Sequence, residues 1–174
     1  MLRLVLVSVS CVLVCGGCSP LSLARRGLTE FRGASGEVVP IRECSRGFCQ
    51  SVGTIEPGGL TNSIAPVCPA TMVSKLHASM VEEARQVSDR LSGSDRALVD
   101  VDVTYYHAPG GVMSVVGKAG LLIGRARVTD GDGTPQGDLL VTVSSEAVRT
   151  GQTEMADVLA RTLCQYIADR AAGP

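Results

Sequence analysis

Cysteine is the residue type whose placement in this chain says most about chemistry. There are seven: Cys11, Cys15 and Cys18 near the amino terminus, then Cys44, Cys49, Cys68 and Cys164. The first three lie in a segment with the order of an export signal. Met1-Leu2-Arg3 is a short positive start, residues 4–14 are an apolar run, and Cys15-Gly16-Gly17-Cys18 follows. The run is too short for a bilayer, which takes ~20 apolar residues. Gly16 and Gly17 are the small residues a signal peptidase needs ahead of its cut, and the residue after that cut is Cys18.

Cys44, Cys49, Cys68 and Cys164 remain once the signal and Cys18 are set aside, and an even number in an exported chain suggests disulfides. Of the three connectivities, Cys44 with Cys49 and Cys68 with Cys164 is preferred, because the first pair is local and the second can clip one helix to another. On the loop-entropy model the first bond would contribute ~2 kcal/mol and the second ~4 to 5 kcal/mol. A zinc site built from the same thiols is the rival, although C-x4-C lacks the paired C-x2-C of common zinc folds. Free thiols are a third alternative.

Other residues capable of chemistry are sparse. A Ser-His-Asp site needs a constrained serine, a base in reach and an orienting carboxylate. His107, Asp102 and Ser114 are close enough in sequence to be neighbours in a strand-turn-strand unit, yet no Gly-x-Ser-x-Gly turn frames a serine. His107 reads better as a solvated residue at a strand end, and His77, beside Lys75 and near Glu82, as part of a polar helix face. Asp130, Asp132 and Asp138 sit in DGDGTPQGD, which lacks the ligand spacing of a calcium loop and reads as a hairpin turn. Gly117, Gly120 and Gly124 precede no Lys-Ser or Lys-Thr pair, so strand bends account for them better than a phosphate loop. No catalytic residue, cofactor site or metal ligand is assigned, and the expectation is a protein that is not an enzyme.

The Cys15-Gly16-Gly17-Cys18 motif resembles the lipobox of bacterial lipoproteins, with Cys15 standing where leucine is usual. The resemblance implies that the Cys18 thiol takes a diacylglyceryl group, that the signal is cut before it, and that the new amine is acylated in turn. Two or three chains on one cysteine make desorption negligible, since each buried methylene contributes ~0.8 kcal/mol. Ser19 follows, where an aspartate would suggest inner-membrane retention, so the expected location is the outer membrane, facing the periplasm. An ordinary secretory signal cut near Cys18 without lipid is the alternative.

Three segments are expected: a signal over residues 1–17, the lipidated cysteine and a flexible tether over 18–43, and a single domain over 44–174. Residues 37–42 packed as an edge strand are the alternative to tether at that end. With Arg3 removed, 15 basic residues face 17 acidic ones, and no basic cluster points to nucleic acid. Hydrophobic residues make up 45% but aromatic ones only 3%, so the core must be mainly aliphatic. A short strand is expected over 48–56, then a turn at Pro57-Gly58-Gly59. A helix follows from Pro69 with Val73, Leu76, Met80, Ala84, Val87 and Leu91 on one stripe, ended by Gly93.

Residues 97–107 alternate cleanly, with Val99, Val101, Val103 and Tyr105 on one face and Asp100, Asp102, Thr104 and Tyr106 on the other. Further strands are expected over 112–116, 121–129 and 139–145, and a closing helix over 153–171 carries Met155, Leu159, Leu163 and Ile167. This order predicts an α+β fold, a two-layer α/β sandwich with a mainly antiparallel sheet and two helices on one face. Element order, with Gly117-Lys118-Ala119-Gly120 leading into Leu121-Leu122-Ile123, resembles bacterial lipoproteins whose domain is similar to those serving curli export or activating cell-wall synthases. The resemblance implies a membrane contact through the lipid on Cys18 and a protein or cell-wall partner. A hydrolase with an unrecognised site, or a small-ligand or metal binder, is the alternative function.

Overall fold

The alternation in residues 97–107 is the pattern on which the sheet is built. A computed structural model describes residues 34–108, 120–145 and 152–173. Its elements are β1 (Ala34–Arg42), α1 (Arg46–Ser51), β2 (Val52–Asn62), α2 (Ala70–Ser88), β3 (Asp95–His107), β4 (Gly120–Thr129), β5 (Pro135–Ser145) and α3 (Gln152–Ala171). They form an α+β fold, with the five strands in the order β1-β5-β4-β3-β2. β2 runs parallel to β3, and every other neighbouring pair is antiparallel.

One sheet face carries the core. Val99, Val101 and Val103 of β3, Leu122, Ala126 and Val128 of β4, and Leu139, Val141 and Val143 of β5 are all buried. Against them α2 sets Met72, Leu76, Met80, Ala84 and Val87, and α3 sets Met155, Leu159, Leu163 and Ile167. Each such side chain contributes roughly 1.5 to 3 kcal/mol relative to exposure. Ala156, Ala160 and Cys164 widen the α3 stripe with small residues. Gly124 makes room on β4, since a Cβ there would lie 3.3 Å from the Leu159 side chain.

The two long helices run in the same direction. Ser79 donates to Asp157 at 2.5 Å, Lys75 Nζ lies 3.3 Å from the same carboxylate, and Arg161 Nε donates to Glu83 at 3.2 Å. Residue numbers thus rise together along both helices. This arrangement corrects the expected bond between Cys68 and Cys164, which are free, buried thiols. Cys68 precedes α2, whereas Cys164 lies level with about residue 86 of it, so at 1.5 Å rise per residue they are separated by ~25 Å along the axis. A disulfide requires Cα atoms within about 7 Å. Burial, with Glu83 adding to it, pushes the Cys164 thiol up to about 12. Cys44 and Cys49 do pair, with Cα atoms 6.3 Å apart, and join the end of β1 to α1.

Other expectations are corrected at the front of the domain. Residues 34–42, assigned to the tether, are strand β1 on the sheet edge, hydrogen-bonded to β5, so the alternative of an edge strand there is the observed one. Residues 48–51, expected as the start of a strand, belong instead to helix α1, and the strand begins at Val52. Pro57-Gly58-Gly59 does not turn the chain but forms an irregularity within β2, where pairing with β3 shifts between Pro57 and Leu60. The helix from Pro69 ends at Ser88, ahead of Gly93, with Met72 buried and Val73 and Leu91 only half-buried. A register shift between Val103 and Tyr105 swaps the expected faces, leaving Tyr106 buried and Tyr105 47% exposed. The expected strand over 112–116 lies outside the described residues.

Two glycines hold a close backbone contact between the start of β2 and the loop after α2. A Cβ on Gly53 would strike the Gly93 carbonyl, and one on Gly93 would strike that of Ser51. Gly53→Ala should therefore destabilise the protein by roughly 1 to 3 kcal/mol, lowering Tm by several degrees in a thermal melt. Gly47→Ala, with nothing within 4 Å of the new Cβ, should leave Tm unchanged or raised. Thiol labelling with peptide mapping, without reductant, should modify neither Cys68 nor Cys164 in the native protein and both after unfolding.

Candidate functional site

The sheet face opposite the helices is where polar side chains gather, and strand register places them in rows. One row runs Arg42, Asp138, Arg127, Asp100, and the next runs Val39, Leu140, Arg125, Asp102, Thr61. A third contains Glu37, Thr142, Ile123 and Tyr105. Between β2, β3 and β4 this face forms a groove of about 350 Å³ lined by Gly59, Thr61, Asp100, Asp102, Arg125 and Arg127. Beside it Val39, Leu140, Ile123 and Tyr105 form a diagonal band of larger side chains, of which Val39 and Tyr105 are each 47% exposed.

Three carboxylates are held in place. Arg125 grips Asp138 with two parallel bonds, Nε at 2.9 Å and Nη2 at 2.5 Å. This fork lowers the pKa of Asp138 against the opposing effect of burial, with further help from Arg127 and Arg42. Burial also opposes ionisation of Asp102, but bonds from the Ser63 and Thr61 hydroxyls and the Ser63 N–H, with Arg125 nearby, outweigh it and leave its pKa lowered. Asp100 Oδ1 accepts the Gly59 N–H at 2.5 Å. The irregularity in β2 makes that bond possible, since a Cβ on Gly58 would collide with the same oxygen.

Of the residues singled out from sequence, Asp102 and Asp138 lie on this face, both beside Arg125, and the others are not brought together here. His107 is exposed at the end of β3, opposite Leu121. It stands five residues from Asp102, or ~16 Å along an extended strand. Asp102 is committed to Thr61 and Ser63, and Ser114 lies outside the described residues. His77 is exposed on α2, and Glu82 is bonded by Arg85 and Gln86. Asp130 accepts the N–H groups of Asp132 and Thr134 and the Gln136 amide, which makes it the organiser of a hairpin turn closed by Gly133 at φ +83°. Among the described residues no group of three or more His, Cys, Asp or Glu side chains could hold a metal ion. Cys18 and Gly117 are outside the described residues. Asp100, Arg125, Arg127 and Asp138 were missed as a group. The signal was present as acids at i and i+2 in one strand and arginines at i and i+2 in the next.

No protein-family model matches the chain, and no curated protein sequence matches it. Among solved structures, the chain is similar in outline to the PelC dodecamer from Paraburkholderia phytofirmans in two crystal forms. The TM-scores are 0.48 and 0.47 at 11% and 9% identity, covering 77% of this chain and 96% of that one. A likeness that distant carries nothing about activity or partners.

The depressed Asp138 and Asp102 carboxyls link stability to acidity. A carboxyl whose folded pKa lies below its unfolded value of ~3.9 stabilises the fold above that pH and loses the contribution as pH falls through the folded value. Stability should thus decline below about pH 4 in wild type. Denaturant titrations across pH 2 to 6 should show a shallower decline for Asp138→Asn, and an equal slope would remove the Arg125 fork from the account.

Proposed function

We propose that this protein is a lipid-anchored lipoprotein of the bacterial cell envelope that presents a small α+β domain to an envelope partner and catalyses no reaction. The observation that carries the reading is the amino-terminal order of Arg3, an apolar run, and Cys15-Gly16-Gly17-Cys18. The order puts a thiol at the first position of the processed chain, where acyl groups hold it to the membrane. Fifteen residues, 19–33, separate that cysteine from β1, and a chain of that length spans at most ~50 Å. The anchor therefore sets the distance within which the domain finds its partner.

The disulfide between Cys44 and Cys49 supports an oxidising compartment, since such bonds persist outside the cytosol. The sheet face that no helix among the described residues covers supports a binding role, because open faces with apolar bands mark contact surfaces. The hydrolase alternative finds no support among the described residues, where His107 is solvated and Asp102 engaged.

Intact mass of the protein from a membrane fraction tests the anchor. Wild type should begin at Cys18 and carry acyl mass, and Cys18→Ala should lose that mass and leave the membrane pellet. An unacylated wild-type chain starting elsewhere would overturn the anchor and make this a soluble exported protein.

A further inference from the structure

Arg127 is flanked by acid on both sides of its own row yet holds neither neighbour. Asp138 is occupied by the two-bond fork from Arg125, one row away. Asp100 gives its Oδ1 to the Gly59 N–H. Among the described residues no hydrogen bond or ion pair ties up the Arg127 guanidinium, and none ties up Asp100 Oδ2. Yet the two residues are directly opposed across antiparallel strands, where Cα atoms stand ~4.5 to 5.5 Å apart and opposite charges ordinarily close on each other. Both line the same groove of about 350 Å³, at the small end of the range for ligand pockets.

We propose that this groove binds a small zwitterion, an ammonium and an oxyanion joined by one to three atoms. The oxyanion lies on the Arg127 guanidinium and the ammonium on Asp100 Oδ2. The guanidinium fork matches two oxygens of a carboxylate or phosphate, and the free carboxylate oxygen matches a compact ammonium. Charge balance favours both signs in one molecule. A lone anion would come to rest beside Asp100, Asp102 and Asp138, and a lone cation would face Arg125 and Arg127. The neighbouring carboxylates are fixed by their own bonds, so the open charges are the ones left for a ligand. The proposal stands independently of the anchor at Cys18.

The chemistry is shared by the head of a free amino acid and by a phosphoethanolamine lipid headgroup, which separate probes distinguish. Glycine, O-phosphoethanolamine, acetate and methylammonium are titrated into the isotope-labelled full chain in a maltoside detergent, reading the amide signals of Gly59 and Asp100 and the Arg127 Nε signal. Saturable shifts are expected with glycine or O-phosphoethanolamine, at least tenfold tighter than with acetate or methylammonium. Tighter glycine binding assigns an amino-acid head, and tighter O-phosphoethanolamine binding a lipid headgroup. Arg127→Gln and Asp100→Asn should each weaken the tighter zwitterion at least tenfold, with signals outside the groove unmoved to certify the fold. Absence of saturation with both zwitterions, acetate binding as tightly as glycine, or unchanged affinity in Arg127→Gln would overturn the proposal.

Discussion

The two long helices run the same way because each returns from a strand that points the other way. β2, β3 and β5 share one direction and β1 and β4 the opposite one, so α2 leaving β2 and α3 following β5 both travel back along a single sheet face. Their side-by-side packing, tied by Asp157 to Ser79 and Lys75 and by Glu83 to Arg161, concentrates the apolar burial on that face. Much of the rest depends on this choice. It requires a helical crossover between the parallel strands β2 and β3. It also puts Cys68 and Cys164 at different heights and leaves the other face of the sheet to the charged rows and the band of Val39, Leu140, Ile123 and Tyr105.

On that other face the side chains do not simply pair with the residue opposite. Arg125 passes over Leu140 in its own row to take Asp138 diagonally, and Asp102 turns to the hydroxyls of β2. Both choices favour fixed geometry, since a guanidinium fork and a carboxylate with several donors have little freedom left. The surface is therefore a set of committed charges around a smaller set of open ones. The exposed ion pairs contribute only modestly to stability. Their larger effect is to define which groups can meet a ligand.

Much of the fold was legible because periodicity survives in long elements. The stripes of α2 and α3 and the alternation of β3 up to Val103 are direct consequences of 3.6-residue and two-residue repeats. What failed was decided by single residues or by long-range pairing. One extra residue near Thr104 exchanged the faces of Tyr105 and Tyr106, and residues 48–51 form the end of a helix where their own pattern suggested strand. β1 was hidden because Pro40 and the two glycines Gly33 and Gly36 look like linker, and the pairing with β5 that makes a strand of residues 34–42 is long-range. The candidate site was half legible. Asp100 and Asp102 were placed on the right face, but the arginines opposite them require knowing that β4 is the neighbour of β3.

β1 is both the first described element and an edge strand, and this has a mechanical meaning. Any pull on the chain ahead of Ala34 is transmitted first to the Ala34–Ser145 pair and then, pair by pair, along β1 towards Arg42. A strand loaded from one end gives way pair by pair, and because Ala34 belongs to the core and Val38 packs against it, detaching β1 also uncovers part of the apolar face under α3. The Cys44–Cys49 bond then passes the load directly from the end of β1 to α1, because the loop it closes cannot lengthen. The first strand is therefore the place where tension on the preceding chain would meet the core.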